Sequence, residues 1–231
     1  MAILLNTPPL TVYEHMALDE QMARLASAAI LRFYQWAPGP AVTFGYAQFV
    51  SEVRRALQEK RFAAAYTRRP TGGGVVFHTD DLTFSLIFSC PDRPSVIYQK
   101  LHTCIWQQLK KAGISGSVFN QNLPAVAYAP SVNHQANACF VHPVENDLLA
   151  TDGQKMLGGA IRRFGSLVLY QGSLQLPQAR ENPVLKRSVI EAVRIFLSTD
   201  FTPLACDSSV LQAARELATT QYQNLDWVEK F

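Results

Sequence analysis

The chain has 231 residues, of which 48% are apolar and 17% charged. That balance excludes a disordered or low-complexity polypeptide and allows one large or two small domains, with a core big enough to need neither disulfides nor metal. A formal charge of +3 is too small to argue for nucleic acid, and no stretch approaches the roughly 18 apolar residues of a membrane span.

Thr11-Val12-Tyr13-Glu14 has the T-x-x-E form of a capping box and predicts a helix from about Val12 to about Ala26, with Leu18, Met22 and Leu25 on its apolar face. Strands are expected over Ile30–Trp36 and Ala41–Phe44, separated by the Pro38-Gly39-Pro40 turn. Ser51 is the expected N-cap of a short helix ending near Arg61. A strand over Ala63–Arg68 leads into Thr71-Gly72-Gly73-Gly74, and strands over Val75–Phe77 and Leu82–Phe88 follow. Ser95 is the expected cap of a helix over Val96–Ala112. Its apolar stripe is Ile97, Leu101, Ile105 and Leu109, and Gly113 stands where a C′ glycine belongs. Ile114–Phe119 reads as a strand, and the polar stretch 120–139 as a long loop. Asp152-Gly153 marks a hairpin between Leu148–Thr151 and Gln154–Leu157. Ser166–Tyr170 and Ser173–Leu176 read as a second strand pair, and helices are expected over Pro183–Leu197 and Ser209–Thr219. Grouped, antiparallel-looking strands between helices predict an α+β (mixed α/β) fold with one main sheet covered by helices.

The densest chemical signal is Arg68-Arg69-Pro70-Thr71-Gly72-Gly73-Gly74-Val75-Val76-Phe77-His78. Consecutive glycines suit backbone that approaches a ligand closely, and the arginines suit a phosphate or carboxylate. A tight turn with solvated arginines fits the same residues. No Gly-Lys-Ser/Thr follows, so it is not a P-loop. Lys155, early on the return strand of the predicted hairpin and ahead of Gly158-Gly159-Ala160, could set an ammonium against a carbonyl or phosphate; an exposed strand lysine fits equally. Cys139, close to His142, is either a nucleophile or a small buried hydrophobe. His78 and His142 are each a general base or a structural histidine. The four cysteines lack C-x-x-C pairing and the five histidines lack metal-ligand spacing. With no basic n-region at the N-terminus, no signal peptide is expected, and a reducing cytoplasm is the expected compartment.

Taken together, several stretches resemble the biotin/lipoate protein ligase and octanoyltransferase superfamily, most closely its lipoate–protein ligase A branch. They are Glu14–Glu20; Leu31–Trp36 with Val42–Gln48; the Arg68–His78 stretch, similar to R-R-x-[ST]-G-G-G-x-x-x-H; Asp147–Ala160; Gln171-Gly172-Ser173-Leu174; and Tyr222–Trp227. The resemblance covers nearly the whole chain. It implies a single catalytic domain over residues 1–231, with a larger mixed sheet and a smaller one flanked by helices, as in class II synthetases and biotin ligases.

It also implies attachment of an octanoyl or lipoyl group to one lysine of a lipoyl-domain protein. Lys155 would then hydrogen-bond the acyl carbonyl, while Arg69, Thr71, Gly72, Gly73, Gly74, His78, Gly158, Gly159 and Ala160 line the acyl site. Two mechanisms exist in such a family. Cysteine-type transferases take the acyl group from acyl carrier protein or another lipoyl domain and need no cofactor; Cys139-Phe140 matches their nucleophile in type and spacing. Ligases use ATP and magnesium, and Asn146-Asp147 resembles their Asn-Asp pair, Asp147 serving nucleotide or metal. Gly74 is ligase-like, the Gly-Ser-Ala after the lysine is Gly158-Gly159-Ala160, and the histidine of H-G-[ST]-L is Gln171. Those last two losses would also suit a non-catalytic binder of lipoyl domains. No nucleic acid or membrane partner is expected.

Overall fold

The computed structural model describes residues 2–119 and 143–231. In chain order its elements are β1 (Ala2–Asn6), α1 (Val12–Leu25), β2 (Ala29–Phe33), β3 (Ala41–Phe44), α2 (Val50–Glu59), β4 (Ala65–Arg68), β5 (Val76–His78), β6 (Leu82–Ser89) and α3 (Pro94–Lys111). There follow β7 (Ser117–Val118), β8 (Leu148–Leu149), β9 (Lys155–Phe164), β10 (Leu167–Leu174), α4 (Pro183–Leu197), β11 (Phe201–Ala205), α5 (Ser208–Leu217), a π-helical turn (Ala218–Tyr222) and α6 (Leu225–Val228).

Among the described residues these strands form an eight-stranded sheet, ordered β11-β1-β2-β6-β10-β9-β8-β7, and a three-stranded sheet, ordered β4-β3-β5. β1 is parallel to both of its neighbours, whereas β2, β6, β10 and β9 pair antiparallel, with Gly172 opposite Gly159 and Phe84. The expected large mixed sheet, small sheet and flanking helices are all present.

Strand alternation decides what each face of the large sheet meets. Phe84, Leu86 and Phe88 of β6 and Val168 and Tyr170 of β10 join the stripe of α3 (Ile97, Leu101, Ile105, Leu109) and Leu185, Val189 and Val193 of α4 in one core. Ile87 and Leu169, on the opposite face, pack with Met16, Leu18 and Met22 of α1 and Ala214 of α5. Ser85 and Gln171, two residues along from them on the same face, are thereby aimed at α1. A third core joins Val42 and Phe44 of the small sheet to Val50, Val53 and Leu57 of α2 and to Val228.

Local signals account for most element ends. Glu14 N–H donates to Thr11 Oγ1 at 3.3 Å and Thr11 N–H to Glu14 Oε2 at 2.7 Å, completing the predicted capping box. Gly113 has φ +84°, as a C′ glycine requires. The serine caps are corrected: α2 and α3 begin two residues earlier, after Phe49 and Arg93, with no side-chain cap, and Pro94 at N1 pre-sets the start of α3. The second expected strand pair is also corrected. Ser166–Tyr170 and Ser173–Leu176 do not pair; residues 167–174 run as one strand, β10. Gln171-Gly172 is continued by ladder bonds on both sides, so it makes no turn. β1 and β11 are strands that the sequence reading leaves out.

Candidate functional site

The site begins with charge buried beneath it. Asp19 of α1 and Arg32 of β2 are fully buried, and Arg32 Nε donates to Asp19 Oδ1 at 2.7 Å. Arg32 also donates to the His15 carbonyl at 2.8 Å and to His15 Nδ1 at 2.9 Å, leaving His15 Nε2–H to donate to the Gln35 carbonyl at 2.9 Å. Burial, reinforced by Arg32, drives the His15 pKa well below its usual value. Asp19 further accepts from Ser85 Oγ at 2.7 Å, from Gln171 Nε2 at 2.8 Å and from the Tyr34 hydroxyl. Burial and the Asp19 charge push the Tyr34 hydroxyl pKa well up, so it remains a donor. Every strong acceptor here meets a donor, the condition for keeping charge inside a protein.

Gln171 carries this network to the glycine loop, its Oε1 accepting from Thr71 Oγ1 at 2.6 Å. Arg69 shapes the loop from within. It donates to the Gly72 and Gly74 carbonyls at 2.8 and 2.9 Å and to Thr43 Oγ1 at 2.9 Å. The loop lies directly on Gly45, where a Cβ would stand 1.8 Å from the Gly73 carbonyl oxygen, and Gly73 itself has φ +88°. Arg68 points the other way, toward the C-terminal segment. Both arginines are buried, which excludes the solvated-turn alternative, and every acceptor just named for Arg69 belongs to the protein itself.

His78 closes one wall. Its Nδ1–H donates to Asp81 Oδ2 at 2.9 Å, and its Nε2 lies 2.8 Å from Thr43 Oγ1. Asp81 Oδ2 also accepts from Ser173 and Thr83 hydroxyls, each at 2.6 Å. Burial alone would raise the Asp81 carboxyl pKa, but the charge and hydrogen bond of His78 and the two hydroxyls hold it below the usual range.

These walls surround a pocket of about 380 Å³, counting its open mouth, lined by Met16, Tyr34, Arg69, Val76, His78 and Gly158–Ala160 among others. Its small apolar wall and few polar tips suit an aliphatic chain better than a charged ligand. Lys155 lies at the start of β9, buried, with Nζ 2.8 Å from Asp147 Oδ2. Asp147 also accepts from the Val144 N–H at 2.7 Å, and burial raises its carboxyl pKa despite both partners. Lys155 lines a separate, wider hollow with Val75, Phe77, Met156 and Gln175. The glycine loop spans the two: Val76 faces the pocket and Val75 the hollow.

The structure therefore gathers Arg69, His78, Gly158, Gly159 and Ala160 on one pocket, ties Thr71, Gly72 and Gly74 to it by hydrogen bonds, and sets Lys155 with Asp147 beside it. Cys139 and His142 lie outside the described residues. The sequence reading passes over Asp19, Arg32, Thr43 and Asp81. A charged residue on the apolar face of α1 is the one local sign that could have marked Asp19; Asp81 stands three residues after His78, a spacing that could have marked it, and Arg32 and Thr43 acquire meaning only through pairing between elements.

Residues 11–181 match the family model of the lipoyl protein ligase A/B catalytic domain. The chain belongs to that family. The match runs from the capped α1 through the glycine loop and the Lys155 segment. An octanoyltransferase LipM of Halalkalibacterium halodurans is 30% identical over 177 residues, covering 70% of this chain and 61% of its own length. Another, of Moorella thermoacetica, is 29% identical over 215 residues, covering 88% and 76%. The chain thus spans about three-fifths of the length of the first of these. Among solved structures, lipoate-protein ligase A bound with ATP superposes with a TM-score of 0.75 at 20% identity, covering 99% of this chain and 98% of its own. A bi-partite lipoate protein ligase of Thermoplasma acidophilum gives 0.71 at 20%, covering 99% and 96%. These two likenesses extend to the fold. Among the described residues no helix is long and apolar enough to cross a membrane, and no three His, Cys, Asp or Glu side chains come together as metal ligands.

Proposed function

We propose that the protein is a single catalytic unit that transfers an octanoyl or lipoyl group to a lysine of a lipoyl-domain protein, in the cytoplasm and without a cofactor. The observation that carries this reading is the family match across residues 11–181, whose curated relatives are octanoyltransferases. The narrow, glycine-walled pocket supports it, since each methylene buried there contributes about 0.8 kcal/mol.

The donor is an acyl thioester on acyl carrier protein, or the acyl-lysine amide of another lipoyl domain. The Cys139 thiolate attacks the donor's carbonyl; a Cys139 thioester forms, and the donor sulfur (or, from an acyl-lysine, the lysine nitrogen) leaves and takes up a proton. Lys155 donates to the carbonyl oxygen as negative charge develops on it. The acceptor lysine, as a free amine, then attacks the Cys139 thioester; an amide forms, the Cys139 sulfur leaves, and the proton lost by the amine returns to it. Arg69 and Thr71 hold the loop that walls the acyl chain, and His78 with Asp81 holds the opposite wall.

A second reading, an ATP-dependent ligase, is favoured by Asp147, buried beside Lys155 where the family resemblance puts a carboxylate serving nucleotide or metal. With that carboxylate already bonded to Lys155 and the Val144 amide, and no three-ligand cluster among the described residues, magnesium would depend chiefly on the phosphates of the nucleotide.

The deciding experiment incubates purified protein with an apo lipoyl domain and either octanoyl-acyl carrier protein or ATP plus lipoate. Transfer from the thioester, an acyl adduct on Cys139 by mass spectrometry, and loss of both in Cys139→Ala are expected. Full activity of Cys139→Ala with ATP and lipoate would establish the ligase instead. Tight binding of the lipoyl domain with neither reaction would establish a non-catalytic binder.

A further inference from the structure

His102 of α3 takes no part in the chemistry above, yet it is 1% exposed and bonded at both ring nitrogens. The Tyr170 hydroxyl lies 2.8 Å from Nε2, and the Asn146 carbonyl lies 2.7 Å from Nδ1. A carbonyl only accepts, so Nδ1 carries the proton, and Nε2 accepts from Tyr170. Burial pushes the ring's pKa down to about 4, which keeps this neutral, one-donor form near pH 7.

What His102 grips is unusual backbone. Asn146 has φ +71°, the left-handed region that non-glycine residues seldom adopt and asparagine tolerates best. The turn is tied by the Asn146 amide to the Phe119 carbonyl at 2.7 Å and by the Asp147 amide to the Val144 carbonyl at 3.0 Å. The next side chain along is the Asp147 carboxylate, 2.8 Å from Lys155 Nζ. The far end of the relay is fixed as well. The Tyr170 ring sits between two glycines of neighbouring strand segments: a Cβ on Gly159 would fall 2.4 Å from Tyr170 Cε2, and one on Gly172 would fall 2.7 Å from Cε1. Gly159 thus serves the Tyr170 ring as well as the acyl pocket.

We propose that His102 is a positioning residue: its Nδ1–H holds the Asn146 carbonyl, and with it the left-handed turn that presents Asp147 to the Lys155 ammonium. Its bearing on catalysis rests on the reading of Lys155 as the donor to the acyl carbonyl; the arrangement itself does not.

The test compares His102→Asn with His102→Leu, two side chains with the same branched arrangement of four heavy atoms. Asn keeps an N–H near the place of Nδ1, and Leu removes it. The first readout needs no substrate: acetylation of Lys155 by acetic anhydride at one fixed pH, followed by peptide mass spectrometry. Labelling is expected to quicken about fivefold in His102→Leu and to stay within about twofold of wild type in His102→Asn, as the loss of one buried hydrogen bond implies. The second readout is acyl transfer. For His102→Leu, kcat should fall about tenfold while KM for the acceptor stays within about twofold, and His102→Asn should restore kcat.

Unchanged Lys155 labelling in His102→Leu, or equal behaviour of the two variants, overturns the proposal. The predicted labelling pattern in a protein that transfers no acyl group upholds the positioning of Lys155 and refutes the transferase reading. Should His102→Leu fail to fold, His102→Gln carries the test: its amide reaches toward the place of Nε2 beside Tyr170 and leaves no donor at that of Nδ1, and unchanged Lys155 labelling there is equally fatal.

Discussion

Arg68 and Arg69 are neighbours in sequence, and the structure assigns them opposite duties. Arg68 is fully buried on β4. It donates to the Tyr46, Gln48, Trp227 and Val228 carbonyls at 2.6, 2.7, 2.9 and 2.8 Å, and its own carbonyl accepts from Trp227 Nε1 at 3.0 Å. All those acceptors are backbone, drawn from the segment after β3 and from α6. Burial correspondingly pushes the guanidinium pKa down. Replacing Arg68 with Met keeps most of the side chain's bulk and removes every donor. A hydrogen bond from a charged group is worth about 1.5–3 kcal/mol, but water entering the opened site would satisfy part of what is lost. The expected net destabilisation is about 3–5 kcal/mol, the range for breaking up a buried charged group's contacts. For a chain of this size that lowers Tm by on the order of 10 °C. Urea unfolding followed by tryptophan fluorescence is the natural assay, because Trp227 sits against Arg68. Met at the exposed Arg187 is the control, expected within about 0.5 kcal/mol of wild type. A loss at Arg68→Met below about 1 kcal/mol would refute the view that this side chain fastens α6 to the back of the glycine loop.

Arg69→Met should show the reverse pattern, with acyl transfer falling about 10²-fold or more as the loop loses its shape, and a smaller loss of stability on urea unfolding. Gly159→Ala should cost about 1–3 kcal/mol in the same assay, because the added methyl overlaps the Tyr170 ring. Stability should also fall with acid in a window set by His102. Its folded pKa, about 4, lies below the unfolded value of about 6.5, so from pH 6.5 downward the unfolded chain binds a proton that the fold refuses. The resulting loss grows to about 3 kcal/mol at pH 4 and stops growing below it. His15, also depressed, adds its own share. Unfolding free energies of wild type and His102→Asn at pH 7 and pH 4.5 isolate the His102 part: the variant should lose less on acidification, and equal losses would count against the assignment.

What was legible in the sequence follows the range of each signal. β3 and α4 have the bounds expected, since Pro-Gly-Pro ahead of the one and Asn182-Pro183 ahead of the other are local punctuation. β1 and β11 were not legible. Each is five residues long, and β11 carries a proline and is largely exposed at the sheet edge, so neither shows an alternating pattern. Gln171-Gly172-Ser173 looks like a break in isolation and is a strand only because β6 and β9 flank it. The same distinction holds at the site. The glycine loop, His78 and Gly158–Ala160 stand out by composition. Asp19 and Arg32 gain their roles from each other across 13 residues and from partners on other elements, and Asp81, though His78 and Thr83 are close by in the chain, joins the pocket wall only through Ser173, 92 residues on.

The parallel pairing of β1 has a consequence for how the chain reaches this shape. Ala2–Asn6 lies between β2, some 25 residues downstream, and β11, which pairs Phe201 with Ala2 and Ala205 with Asn6. On a ribosome adding about 5–20 residues per second, one side of β1 waits about 10–40 s for its partner to be made. Through that interval it presents a row of unpaired amides and carbonyls on an apolar strand, the kind of edge that recruits other chains. The covering strand also arrives with the large loop-closure cost of a contact nearly 200 residues apart. Formation of the β1–β11 ladder is therefore a natural late step of folding, and nascent chains stalled before residue 201 should be the species that most needs a chaperone.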